Sequence, residues 1–212
     1  MSADDRHHLE RVLRLRPGEV VTAADGAGRW VRCRWVGAAG LEVDDEVVTE
    51  PAPSPLVTVA FSPVKGDRPE WAVQKLTELG VDRIVALVAA RSVVRWTGDR
   101  GVAAVARWRR VAREAAMQSR RAWLPVVEAP AGFAEAAGWP GAALAVAGGD
   151  PPSLAHPVVL VGPEGGWDPS AELGAGLPTV GLGPNVLRTE TAAVAAGTLL
   201  VALRSGLLAP YG

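Results

Sequence analysis

The sequence predicts an α/β protein of two domains, a small N-terminal β-barrel and a larger C-terminal α/β domain. Short strand-like pieces separated by glycine turns fill much of the first 50 residues. After a proline-rich stretch, apolar strand-like runs alternate with helix-like segments, the order that builds parallel sheets. Near the C-terminus two such runs each end in a tight glycine-proline turn. Since open α/β sheets bind ligands at the carboxyl ends of their strands, these turns are the first candidates for a site.

Composition excludes several classes of protein. The 212-residue chain is 49% hydrophobic and 21% charged, as is typical of a globular protein with a buried core. It has no run of about 18 apolar residues and begins with a polar, acidic stretch, so we expect no membrane span, no signal peptide and a cytoplasmic location. The single cysteine, Cys33, predicts no internal disulfide. The three histidines, of which His7 and His8 are adjacent, do not have the spacing of metal ligands. No Ser-His-Asp or Cys-His arrangement indicates a hydrolase.

The net charge of −1 hides an uneven distribution along the chain. Residues 1–55 carry a net charge of −3, residues 56–125 one of +7 and residues 126–212 one of −5. The basic excess is almost entirely arginine and is densest in residues 91–121. Concentrated positive charge favours an anionic partner such as RNA, and a solvated helix face is the alternative.

The N-terminal elements are short. The pattern of residues 7–18 predicts an amphipathic helix that buries four apolar side chains and ends before the Pro-Gly pair, namely Leu9, Val12, Leu13 and Leu15. Strands are predicted at residues 19–23, 30–36 and 41–43. In the central strand Cys33 and Trp35 alternate with Arg32 and Arg34, which gives one apolar face and one basic face. The arginines either contact RNA or solvate the sheet.

A domain boundary is predicted in residues 50–55. Three prolines in five residues stiffen an extended linker and cannot lie in a helix or a central strand. We therefore place the first domain at residues 1–52 and the second at residues 56–212.

The first half of the second domain predicts a strand, a basic loop, a helix, a second strand and a long arginine-rich helix. These elements lie at residues 56–61, 62–68, 69–79, 83–88 and 100–119. Gly80 suits the position just after the first helix. The long helix is predicted to turn five residues toward the sheet: Val102, Val105, Ala106, Trp108 and Ala112. Residues 143–147 predict one more strand, and residues 148–152 a loop.

Residues 156–203 carry the strongest functional pattern. Strands predicted at residues 157–161 and 178–182 end in turns at residues 162–166 and 183–185, and a small-residue helix is predicted at residues 192–203. Glycine allows a ligand to approach the backbone closely. Neither turn is a P-loop, and no G-x-G-x-x-G is present. The pattern predicts a nucleotide-like ligand held mainly by backbone groups, with two ordinary strand-to-helix connections as the alternative.

The motifs in this stretch resemble those of a known family. Gly-Pro-Glu-Gly-Gly followed by an aromatic residue, and then Leu-Gly-x-x-Val-Leu-Arg-x-Glu-Thr-Ala, is similar to the pattern of the RsmE family. These are bacterial 16S ribosomal RNA uridine-N3 methyltransferases of the SPOUT class, which use S-adenosylmethionine. The resemblance implies a C-terminal SPOUT α/β domain with a trefoil knot, a feature that periodicity would not predict.

The resemblance also implies which residues form the cofactor pocket. They are Val161, Gly162, Pro163, Glu164, Gly165, Gly166, Leu182, Gly183, Val186, Leu187, Arg188, Thr191 and Ala192. As catalytic candidates we take Arg188, whose charge would stabilise a deprotonated uracil, and Glu190. Glu164 and Glu190 are each candidates for the base or an orienting group, and Glu190 could instead serve the helix dipole. Thr191 either caps the helix or hydrogen-bonds the cofactor.

The N-terminal and central segments extend the resemblance to most of the chain. Residues 8–28 are similar to the PUA-like RNA-binding β-barrel of the same family, and residues 65–81 to its basic loop and helix. The RNA-contact candidates are Arg14, Arg32, Arg34, Lys65, Arg68, Gln118, Arg120 and Arg121. One departure stands out, because Met117 replaces the family's usual glutamate, so this position carries a thioether in place of a carboxylate.

The resemblance implies a target and an assembly. It implies methylation of N3 of one uridine in the decoding-centre helix of 16S ribosomal RNA, on the assembled small subunit, by a homodimer. Two alternatives stay open: a SPOUT enzyme acting on another rRNA or tRNA position, and a non-catalytic RNA-binding assembly factor. The second is disfavoured because both glycine loops are complete.

Overall fold

The computed structural model describes residues 3–96 and 98–210, which divide into two compact units. The first unit comprises residues 3–52 and 120–123, and the second comprises the remainder. The chain passes from one unit to the other between Ala52 and Pro53, within the proline-rich stretch. The membership of residues 120–123 in the first unit was not predicted. In that unit the backbone N–H of Gly28 donates to the carbonyl oxygen of Ala122 at 3.0 Å.

The first unit contains a four-stranded antiparallel sheet. It is preceded by helix α1 (Ala3–His7) and a π-helical turn (His8–Val12). The strands are β1 (Val20–Ala24), β2 (Arg29–Trp35), β3 (Leu41–Val43) and β4 (Val48–Thr49), and β2 pairs with each of the others. The prediction that Leu13 is buried is wrong. The helical segment ends at Val12, so the side chain of Leu13 is 46% exposed.

The predicted alternation along β2 is confirmed. Cys33 and Trp35 are buried on one face. On the other face Arg34 forms an ion pair with Asp44 at 2.8 Å, and Arg32 lies 3.9 Å from Asp45. Each predicted RNA-contact arginine of this strand therefore already has an acidic neighbour in the same unit.

The second unit is built on a seven-stranded parallel sheet in the order β11-β9-β10-β5-β6-β7, with β8 also beside β6. The strands are β5 (Thr58–Phe61), β6 (Arg83–Val88), β7 (Val126–Val127), β8 (Ala131–Gly132), β9 (Ala142–Asp150), β10 (Val158–Val161) and β11 (Thr179–Val180). Strands β5, β6 and β10 are almost entirely buried, as their continuous apolar runs require.

Helices cover both faces of this sheet. They are α2 (Arg68–Leu79), α3 (Gly98–Gln118), α4 (Phe133–Ala137) and α5 (Thr189–Arg204). Helices α2, α3 and α5 pack into one core cluster, while α4 and Trp167 pack into the other. As predicted, Gly80 follows directly after the last residue of α2 and caps the helix in a left-handed conformation with φ of 103°.

The predicted inner face of α3 is partly wrong. Val105, Trp108 and Ala112 are buried, but Val102 is 71% exposed and Ala106 is also exposed. Gly101 faces inward instead, because its backbone lies so close to Trp96 that an added Cβ would be 3.2 Å from the Trp96 backbone. A small residue marks the inner face here, and the larger valine points outward.

Two predictions near the C-terminal strands also need correction. The predicted loop at residues 148–152 is wrong at its start, because β9 continues to Asp150. The predicted strand at residues 178–182 is reduced to two residues in β11. The pairing of β11 with β9 shifts register between Thr179 and Val180. Beside this shift, Gly149 and Gly181 bring the two backbones closer than any side chain would allow.

The small residues of α5 serve packing within the unit. Ala193, Ala196 and Gly197 are buried against α2 and β5. An added Cβ at Gly197 would lie 2.7 Å from Leu76 and 2.8 Å from Val81. The close approach of α5 to the core thus accounts for these residues without a second subunit.

One surface ion pair gives the fold a pH-dependent contribution to stability. Two guanidinium nitrogens of Arg83 bind the carboxylate of Glu128 at 2.7 and 2.6 Å, and this bond lowers the pKa of Glu128 below its ordinary value of 4.5. A depressed acid stabilises the fold above its unfolded-state pKa, and that stabilisation disappears as the pH falls through the folded-state pKa. We expect Glu128→Gln to lower the melting temperature at neutral pH. Thermal melts across pH should show that difference shrinking below pH 4.5; a constant difference would contradict the assignment.

Candidate active site

The two predicted glycine loops meet at a cavity of about 260 Å³ in the second unit. This volume is near the lower end of the range of small-molecule sites, roughly 300 Å³. The cavity lies beyond the carboxyl ends of β10 and β11, where parallel sheets place their ligands. Its lining consists of Ala145, Val146, Ala147, Val161, Gly162, Pro163, Glu164, Gly166, Trp167, Leu182, Gly183, Asn185, Val186, Leu187, Thr189 and Ala192.

Two hydrogen bonds shape the loops. The hydroxyl of Thr189, the first residue of α5, donates to the carbonyl oxygen of Gly162 at 3.0 Å and so ties the helix that follows the second loop to the first loop. Within the first loop the backbone N–H of Gly166 donates to the carbonyl oxygen of Pro163 at 2.8 Å. Gly166 has φ of 70°, a left-handed conformation that glycine adopts without strain.

Trp167 forms one wall of the cavity. Its indole N–H donates to the carbonyl oxygen of Ala145 at 3.0 Å, and its ring packs 5.7 Å from that of Phe133. An added Cβ at Gly162 would lie 2.9 Å from the indole ring. The glycine is therefore needed for the aromatic ring to pack against the loop.

A buried carboxylate fixes the far end of the first loop. Glu172 is 1% exposed and accepts hydrogen bonds from the backbone N–H groups of Ala90 at 2.8 Å and Asp168 at 2.7 Å. The Asp168 carboxylate in turn accepts from Ala171 and Ser170, and these bonds lower the pKa of Asp168. Sequence reasoning missed Glu172, because the carboxylate and its donors come together only through the fold.

A second charged cluster lies beside the cavity. Arg68, the first residue of α2, approaches Glu190 at 3.2 Å and Glu164 at 3.4 Å through the same guanidinium nitrogen. Its hydrogen bond to Glu190 raises the pKa of Arg68. Glu164 lines the cavity and is half-exposed, whereas Glu190 is buried.

The structure places ten of the thirteen predicted cofactor residues on the cavity wall. Gly165, Arg188 and Thr191 do not line it. Helix α5 begins at Thr189, three residues before its predicted start, so Thr191 lies inside the first turn. Of the two alternatives for Thr191, the helix cap is therefore wrong, since Arg188 is the N-cap. The other lining residues are Ala145, Val146, Ala147, Trp167, Asn185 and Thr189. Sequence reasoning missed the first four, whereas Asn185 lies in the predicted second turn and Thr189 in the matched motif at residues 182–192. The aromatic position after the glycine loop was a signal for Trp167.

The two predicted catalytic residues differ in environment. Arg188 is the N-terminal cap of α5, with an extended backbone and an exposed side chain. Within residues 3–96 and 98–210 its guanidinium has no ion-pair partner. Glu190 is 7% exposed; one carboxylate oxygen binds Arg68, and the other is buried with no hydrogen-bond partner in the described part of the chain.

The predicted RNA-contact residues are mainly at the surface. Exposed members in the first unit are Arg14, Arg32 and Arg120, and in the second Lys65 and Gln118. Arg14 and Arg120 have positive φ, 52° and 56°, uncommon for residues other than glycine. Met117, at the position of the family's glutamate, is 40% exposed.

The fold and the site define a class, the RNA methyltransferases. The family model of the RNA methyltransferase domain matches residues 50–201, and that of the RNA methyltransferase PUA domain matches residues 2–38. Among solved structures, a probable rRNA-methyltransferase from Porphyromonas gingivalis superposes with a TM-score of 0.80 at 28% identity, covering 98% of this chain and 94% of that one.

Closer sequence relatives define the family. Ribosomal RNA small subunit methyltransferase E from Mycobacterium bovis is 36% identical over 92% of this chain and 83% of its own length. The enzyme of that name from Neisseria gonorrhoeae, solved bound to S-adenosyl methionine, has a TM-score of 0.77 at 32% identity and covers 97% of this chain and 90% of its own. The chain belongs to the ribosomal RNA small subunit methyltransferase E family, and the predicted α/β architecture with a PUA-like N-terminal domain is confirmed.

Membrane-spanning helices and metal-ligand clusters are both absent from the described residues. No helix in residues 3–96 or 98–210 is long and apolar enough to cross a membrane. Within the same residues no three histidine, cysteine, aspartate or glutamate side chains converge as metal ligands would.

Proposed function

We propose that this protein methylates N3 of one uridine in the decoding-centre helix of 16S ribosomal RNA, on the assembled small subunit, with S-adenosylmethionine as the methyl donor. Membership of the family assigns the class of reaction, a cofactor-dependent methyl transfer to ribosomal RNA. The observation that supports the proposal best is the joining of both family loops at one cavity by the Thr189–Gly162 hydrogen bond.

The chemistry of the cavity wall fits S-adenosylmethionine. The cofactor carries a positively charged sulfonium centre, an adenine ring and an amino acid group. Glu164 is the one charged side chain among the lining residues that the structure describes, and it is acidic. Leu182, Leu187 and Trp167 would hold the apolar parts, and the loop backbones would supply polar contacts. When bound, the cofactor supplies an electrophilic methyl group.

The chain itself must align the base, exclude water and stabilise charge. Uridine N3 becomes nucleophilic only when it loses its proton, and the negative charge then spreads onto the two flanking carbonyl oxygens. Arg188 stands at the edge of the cavity, between the lining residues Leu187 and Thr189, with an exposed guanidinium. It is our candidate for stabilising that anion. Of the two candidate carboxylates, Glu164 lines the cavity, whereas Glu190 is buried and is not among the lining residues.

Contacts to RNA phosphates are proposed for the exposed basic residues of each unit. Replacing Arg120 and Arg121 together by glutamate should weaken RNA binding and reduce its salt dependence. The slope of the logarithm of the binding constant against the logarithm of the salt concentration should decrease by about one unit for each phosphate that is no longer neutralised. Binding to a small-subunit RNA fragment, measured over a range of salt concentrations, checks this. An unchanged slope would make both residues ordinary surface charges.

Three further features are proposed on the family resemblance: a homodimer, a cytoplasmic location and the trefoil knot. For the dimer, the resemblance implies a pocket completed at the subunit interface. The buried face of α5 is used within the subunit, so only its other faces are available to a partner.

The decisive experiment uses small ribosomal subunits that lack the native uridine methylation. They are incubated with the protein and S-adenosylmethionine, and reverse-transcriptase stops are then mapped, because an N3 methyl group blocks base pairing. We expect one new stop at a uridine of the decoding-centre helix. Methyl incorporation at another RNA position would support the assignment as an RNA methyltransferase but reject the proposed target. No methyl incorporation into any RNA would favour a non-catalytic RNA-binding factor.

A further inference from the structure

We infer that Arg68 is a positioning residue of the cofactor pocket and not an RNA contact. It connects Glu164, on the first glycine loop, to Glu190, on the helix that follows the second loop, and so holds the pocket carboxylate in place. The inference rests on the proposed function, since it assigns to Arg68 a part in binding the methyl donor.

The two carboxylates that Arg68 bridges differ in how firmly the fold holds them. Glu190 is 7% exposed and sits in the first turn of α5, while the side chain of Glu164 is 50% exposed on a loop. A guanidinium shared between them is anchored at the buried end and restrains the exposed end. The second oxygen of Glu190 is buried without a partner among the described residues, so Arg68 is the one cation that neutralises this carboxylate there.

The position of Arg68 in its helix supports a specific role. It is the first residue of α2, and the N-terminus of a helix disfavours positive charge. An arginine at this point opposes the local electrostatics, and such departures from local preference mark functional sites. The attraction of the Glu164 and Glu190 carboxylates for the guanidinium offsets its unfavourable interaction with the N-terminus of α2.

The same geometry argues against a phosphate contact. Arg68 and its two partners carry a net charge of −1, which repels a phosphate. The nitrogen of Arg68 that faces both carboxylates is already engaged by them. Lys65, three residues earlier, is exposed and is the better phosphate contact of the pair.

The test separates the two roles with matched substitutions, Arg68→Met and Lys65→Met. Calorimetry with S-adenosylmethionine alone measures cofactor affinity, and titration with a small-subunit RNA fragment measures RNA affinity. We expect Arg68→Met to weaken cofactor binding by about tenfold or more and to leave RNA affinity within about twofold. Lys65→Met should do the reverse. An Arg68→Met variant that binds cofactor normally and binds RNA more weakly would overturn the inference.

A conservative variant and a double variant guard against loss of folding. Because a single nitrogen of Arg68 serves both carboxylates, a lysine ammonium can replace it in part, and Arg68→Lys should recover some cofactor affinity. Arg68→Met with Glu190→Gln removes both charges together and should restore thermal stability without restoring cofactor affinity. If the double variant recovered both thermal stability and cofactor affinity, the Arg68–Glu190 ion pair would be purely structural and the inference would be rejected. A wild-type chain that binds no cofactor would instead reject the proposed function, and this inference with it.

Discussion

Replacing Arg188 by alanine is expected to lower methyl transfer by about 10²- to 10³-fold, the decrease typical of removing one group that stabilises developing negative charge. The fold should be unaffected, because the side chain is exposed and has no ion-pair partner within residues 3–96 and 98–210. Cofactor affinity should also change little, since Arg188 does not line the cavity. Arg188→Ala should therefore lower the turnover number and leave the dissociation constant of the cofactor unchanged.

The pH dependence of the defect identifies its cause. If Arg188 favours the deprotonated uracil, the difference between the variant and the wild type should shrink as the pH approaches the pKa of uridine N3. Arg188→Lys should retain part of the activity, since it keeps a positive charge. Glu114→Ala, at an exposed acidic position of α3, is the control and should be fully active. A defect that is constant with pH would point to a role in positioning RNA, and unchanged turnover would remove Arg188 from the mechanism.

The parts of the site that could be predicted from sequence are those made by the local chain. Glycine and proline determine loop conformation within a few residues, so both loops and most of the cavity wall were predictable from residues 161–187. The start of α5 was placed three residues late, because Thr189 is held by a bond to Gly162, 27 residues away. A local pattern carries no information about such a partner.

Long-range charge partners were equally beyond the sequence. Arg68 has the local pattern of a basic loop residue, and only the fold brings it to carboxylates 96 and 122 residues away. The predicted inner face of α3 was partly wrong for a steric reason, because apolar character selected Val102 while the close contact with Trp96 selected Gly101. Hydrophobicity predicts that a helix has an inner face, but close contacts decide which small residues occupy it.

Replacing Gly181 by alanine is expected to destabilise the protein by about 2–3 kcal/mol, the upper range for overpacking a core. An added Cβ would lie 2.6 Å from the carbonyl oxygen of Gly149, and backbone cannot move aside as a flexible side chain can. The two strands would have to separate, although the N–H of Gly181 donates to the carbonyl oxygen of Asp150 at 2.8 Å. Relief of the clash would break that bond.

The same substitution should also weaken cofactor binding, because the strands carry both sides of the cavity. Leu182 and Gly183 follow directly after Gly181, and Val146 and Ala147 precede Gly149 on β9. Denaturant unfolding measures the decrease in stability, and calorimetry at a temperature where the variant is folded measures cofactor affinity. Gly132→Ala is the matched control, since an added Cβ there meets nothing within 4 Å. If Gly181→Ala were as stable as that control, the packing between β9 and β11 would have to be looser than described, and the cavity with it.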